Sequence, residues 1–121
     1  ILLISTVGVS DGKPDQKKEP TVAEEAGTIA GAPAALRLKI VKNGVQLDWT
    51  LSPHDPGTVT GYEIVRADRL SGPFDPVAAV AQGTTQFIDT TALPEIIYFY
   101  KVRAIAGKGY SPFSNTVTGE R

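Results

Sequence analysis

The sequence predicts an all-β fold, a seven-stranded antiparallel Greek-key β-sandwich. Three observations carry that expectation. Residues 98–105 alternate with period two: Tyr98, Tyr100, Val102 and Ala104 lie on one side, Phe99, Lys101, Arg103 and Ile105 on the other. That alternation marks a central strand with one buried and one wetter face. Short runs of the same kind recur between turn signals from residue 33 onward, with no helical period among them. Glycine (12) and proline (9) are frequent, as many tight connections between short strands require.

The strands follow in order. Leu36, Leu38 and Ile40 alternate through 36–41, and Lys42-Asn43-Gly44 supplies an Asn-Gly turn signal. Val45, Leu47 and Trp49 share one face of 45–51. A proline-punctuated loop follows over 52–58. Tyr62 and Ile64 face inward from 61–67, and Ser71-Gly72-Pro73 turns the chain. Short strands are expected at 76–81 and 86–89. The long strand 97–106 then leads through Gly107-Lys108-Gly109 into a last strand near 113–118.

Three segments are expected. Residues 1–9, Ile-Leu-Leu-Ile-Ser-Thr-Val-Gly-Val, carry no charge and have high strand propensity. Residues 10–32 are polar, charged and proline-broken at first, then small and flexible, and read as a linker. Residues 33–121 form the folded domain. The segment 1–9 is too short to span a bilayer as a helix. It reads either as a docking strand, with Ile1, Leu2, Leu3, Ile4, Val7 and Val9 as the contact residues, or as the remnant of a leader.

Four stretches, taken in order, resemble a fibronectin type III domain of the bacterial kind, over about Pro33 to Thr118. They are Val45-Gln46-Leu47-Asp48-Trp49; Gly61-Tyr62-Glu63-Ile64; Leu93-Pro94 before Tyr98-Phe99-Tyr100-Lys101-Val102-Arg103-Ala104; and Gly109-Tyr110-Ser111-Pro112-Phe113-Ser114. The resemblance implies an immunoglobulin-like sandwich. Trp49 would fill the space between the sheets, with Tyr62 and Tyr100 in the core. Tyr98 would form a tyrosine corner, its hydroxyl bonded to backbone near Leu93. The family implies binding, spacing or assembly, and a shared fold does not select among these. The turn at 107–110 holds no Arg-Gly-Asp tripeptide, so the integrin-binding role of some members does not transfer.

Chemistry-bearing residues are sparse. Twelve basic side chains face thirteen acidic ones for a net charge of −1, with no basic stripe for nucleic acid. With no cysteine there is no disulfide, thiolate or zinc–thiolate site. His54, the one histidine, reads as a loop residue beside an Asx turn. Asp48, Glu63, Asp68, Asp75, Asp89 and Glu95 fall on different strands and loops, with no calcium-loop spacing. For Phe74, Tyr110 and Phe113 the main reading is that two of the three cover the ends of the core, with an exposed patch for a sugar or protein as the other reading. Neither asparagine lies in a glycosylation sequon.

The expectation is therefore a non-catalytic structural or interaction protein, extracellular or at the cell surface, with no metal, no cofactor and no membrane span. Residues 1–9 would dock onto neighbouring subunits, copies of the same chain or another surface protein, in a filament or array. The competing expectation is a binding or spacer module of a larger secreted, polysaccharide-active enzyme or adhesin, with carbohydrate as a partner.

Overall fold

The structure, a computed structural model, describes residues 31–121. The expected docking strand, with Ile1, Leu2, Leu3, Ile4, Val7 and Val9, and linker residues 10–30 lie outside the described residues.

Eight strands follow one another: β1 (Ala34–Val41), β2 (Gly44–Thr50), β3 (Gly61–Ala67), β4 (Asp75–Ala81), β5 (Gln86–Asp89), β6 (Ile97–Ala106), β7 (Gly109–Tyr110) and β8 (Val117–Glu120). All pair antiparallel. One sheet has the order β1-β2-β5; the other runs β8-β6-β3-β4, with β7 also on β6. The chain crosses from the small sheet to the large one, back for β5, and across again for β6 to β8. This is the Greek-key sandwich, and there is no helix among the described residues.

The core lies where the inward faces meet. Val45, Leu47 and Trp49 come from β2, Tyr62 and Ile64 from β3, and Tyr98, Tyr100, Val102, Ala104 and Ala106 from β6. Leu36, Val59 and Ala92 close the margins. Trp49 is 3% exposed and tilts against Tyr62 with ring centroids 5.8 Å apart. Each of the large inward side chains contributes about 1.5–3 kcal/mol by leaving water. The indole Nε1 of Trp49 has no partner among the described residues.

Two local features differ from expectation. The Asn-Gly signal does not make a turn with left-handed Asn43 and Gly44: neither residue has positive φ, and Gly44 already pairs with Val41. Gly44 is needed because a Cβ there would stand 2.4 Å from the Asp89 carbonyl oxygen. The last strand begins at Val117, not Phe113, and a two-residue β7 precedes it, which makes eight strands rather than seven. Between them, serine hydroxyls replace the ladder. Ser111 Oγ accepts from the Ala104 amide at 2.8 Å and Ser114 Oγ from the Val102 amide at 3.0 Å. The amides of Ser111 and Ser114 donate to the carbonyls of Ala104 and Val102.

Asn115 then clasps the small sheet. Its Oδ1 accepts from the Leu36 amide at 2.9 Å, and its Nδ2 donates to the Leu36 carbonyl at 3.0 Å. Gly119 sits against Leu38, closing the β1–β8 flank. β1 starts opposite Thr50, whereas β8 ends opposite Ile97. The Thr50 end lies by Tyr62 and Ile105, the Ile97 end by Asp89, so the domain is entered and left at opposite ends. With ten residues in β6, that separation is about 33 Å.

Candidate functional site

At the exit end a single carboxylate organises four donors. Asp89, 1% exposed at the end of β5, accepts from Tyr100 Oη at 2.7 Å and Arg66 Nη1 at 2.8 Å. It also accepts from the Thr91 amide at 3.0 Å and the Thr91 hydroxyl at 2.6 Å. Burial opposes the charged form of Asp89, but the bonds from Thr91, Tyr100 and Arg66 outweigh it and hold the carboxyl below its ordinary value. The Tyr100 phenol is pushed up, first by burial and then by the bond it donates to Asp89. Arg66 is fixed from both sides: its guanidinium carbon stands 4.5 Å from the Tyr98 ring centroid, and Nη1 also donates to Thr91 Oγ1 at 3.0 Å.

Above this network opens a cleft of about 640 Å³ between the start of β4 and the loop after β5. Arg66 and Tyr98 line it, with Asp68 and Arg69 from the β3–β4 loop, Asp75 and Pro76 from β4, and Thr91 opposite. The fold thus gathers on one concavity two of the carboxylates that are scattered in the sequence.

The outer face of the large sheet carries a second arrangement. The Lys101 ammonium sits 4.2 Å from the Phe74 ring centroid and 4.4 Å from that of Phe113. Arg103 lies 3.7 Å from the Tyr110 centroid and 4.7 Å from that of Phe113, and pairs with Glu63 at 2.7 Å. The rings and cations form one alternating stack. Val65, opposite Lys101 in register, is 3% exposed yet stands outside the core cluster. The expectation that two of these three aromatics cover the core ends is corrected: none belongs to the core, and their faces are engaged by cations.

At the other end Tyr62 Oη donates to Asp55 Oδ2 at 2.8 Å and accepts from the Ser52 amide at 2.9 Å. Burial, then the bond to Asp55, pushes its phenol up to about 12. His54 is exposed, and its Nδ1 accepts from the Gly31 amide at 2.9 Å.

The sequence-derived core residues Trp49, Tyr62, Tyr98 and Tyr100 are buried together, while Leu93 is 56% exposed and its amide donates to Tyr98 Oη at 3.3 Å. Sequence reasoning placed Asp89 only among scattered carboxylates, and missed its partner Arg66 and the clasp made by Asn115. The one available signal was Asp89 closing a strand two residues before Thr91, an Asx pattern. Among the described residues no group of three or more His, Cys, Asp or Glu is placed to hold a metal ion. No helix there is long and apolar enough to cross a membrane.

A Greek-key sandwich with a clasped flank and opposite points of attachment defines a β-sandwich module. The family model of the fibronectin type III domain matches residues 31–120. The chain belongs to the fibronectin type III family. An amylopullulanase from Thermoanaerobacter thermohydrosulfuricus is 32% identical over 108 residues, which is 88% of this chain and 7% of that protein. The chain thus spans a small fraction of the length of this curated relative. A Fn3-like protein from Clostridium thermocellum superposes with a TM-score of 0.65 at 20% identity, over 75% of this chain and 92% of that one. Pectate lyase PelI from Erwinia chrysanthemi, solved in complex with tetragalacturonic acid, gives 0.61 at 24% identity, over 74% of this chain and 28% of that one. At these identities the two structures establish the fold alone.

Proposed function

We propose that this chain is a non-catalytic accessory module of a larger, secreted, polysaccharide-active enzyme, where it acts as a rigid spacer. The observation that carries the reading is the 32% identical segment within an amylopullulanase. The architecture suits it: a sandwich entered at one end and left at the other holds its flanking segments about 33 Å apart without a flexible joint inside. Assembly into a filament through residues 1–9 rests on residues outside the described ones, and no comparison favours it.

Light scattering of the purified chain should give the mass of one chain at every concentration. The chain alone should release no reducing ends from starch, pullulan or polygalacturonate. Removing the matching segment from the amylopullulanase should lower its activity on granular starch and spare short soluble substrates. Filaments from the isolated chain, hydrolysis by it, or an amylopullulanase indifferent to the deletion would each overturn the reading.

A further inference from the structure

We infer that the cleft at the exit end binds a short stretch of a neutral polysaccharide, which rests on the reading above and adds a ligand site to it. The cleft, at about 640 Å³, has the size of an ordinary ligand site. It is lined largely by polar groups, and its floor is built before any ligand arrives. Arg66 is held by Asp89, Thr91 and the Tyr98 ring, so little side-chain freedom is lost on binding. Only Nη1 is used; Nε and Nη2 make no hydrogen bond among the described residues and remain as donors.

The rim settles the ligand's charge. Asp89 already compensates Arg66, which leaves one arginine, Arg69, against two carboxylates, Asp68 and Asp75. An anion would meet that acidic balance. A neutral polyol would not, and its hydroxyls both donate and accept, as a wall of arginine donors and aspartate acceptors demands. Pro73 and Pro76 supply apolar surface for the C–H faces of a sugar ring.

Titration of the ¹⁵N-labelled chain with maltotetraose tests this. Amide shifts should cluster at residues 66–69, 75, 77 and 91 and saturate in the millimolar range. Asp75→Ala and Arg69→Ala alter exposed rim residues and should leave the spectrum dispersed while weakening binding about three- to tenfold each, the effect of one hydrogen bond. Tetragalacturonate should shift the same amides less. No shifts with maltotetraose, shifts at Phe74, Tyr110 and Phe113 instead, a preference for tetragalacturonate, or rim variants that bind as well as the parent would each overturn the proposal. A monomer that binds nothing sinks the cleft and leaves the spacer reading intact; filaments that still show these maltotetraose shifts sink the spacer reading and leave the cleft standing.

Discussion

Replacing Asp89 by alanine tests the buried network at its centre. The substitution removes four hydrogen bonds and leaves two groups stranded. Tyr100 is fully buried, so its hydroxyl has no water to turn to and costs about 2 kcal/mol as an unsatisfied donor. The Arg66 side chain keeps 25% of its surface exposed, and solvent recovers part of its loss, which leaves about 1 kcal/mol. Thr91 is exposed and rebinds water. The sum, about 3 kcal/mol, sits at the low end of the range for removing one partner of a buried ion pair. For a domain of this size it lowers Tm by about 12–24 °C. Urea unfolding followed by Trp49 fluorescence, with scanning calorimetry, reads both quantities. Tyr100→Phe is the control, because it deletes one donor while Asp89 keeps three. Should Asp89→Ala cost no more than Tyr100→Phe, the carboxylate does not organise this end of the sandwich.

Three further outcomes follow from the same geometry. Asp89 and Asp48 are both held below the ordinary carboxyl value, Asp48 by the amides of Gln46 and Gln86; each therefore contributes stability above the unfolded carboxyl pKa that is lost as pH falls through the folded one. Urea midpoints should drop from about pH 5 downward, and Asp89→Asn should flatten that slope. Gly44→Ala drives a Cβ into the Asp89 carbonyl oxygen, and should cost about 1–3 kcal/mol in chemical denaturation with no change in oligomeric state. Phe113→Ala removes the ring shared by Lys101 and Arg103 and should destabilise by about 1–2 kcal/mol, more than Phe74→Ala, whose ring meets Lys101 alone.

The large core was legible because its signal is local. Period-two alternation through Val45, Leu47 and Trp49 and through Tyr98, Tyr100 and Val102 needs no knowledge of partners, and these residues are buried together. The polar devices were not legible, because each depends on residues far apart in sequence. Asp89 meets an arginine 23 residues upstream, and Asn115 meets Leu36 across 79 residues. Arg66 occupies an inward position of β3, where a charge would be discounted until its carboxylate is seen. Ser111 and Ser114 look like strand residues by position, yet their hydroxyls bond β6 in place of a regular ladder. Lys101 and Arg103 read correctly as a wetter face, but the rings that sandwich them arrive from two other segments.

The opposite placement of entrance and exit has a mechanical consequence. A pull between Pro33 and Arg121 runs lengthwise along β1 and β8 instead of peeling them from their neighbours. Several backbone bonds in each pair then share the load at once, and the Asn115 amide, just ahead of β8, ties that segment to β1. Tension applied between the two ends of the domain would be met in shear, the direction in which a β-sheet resists most.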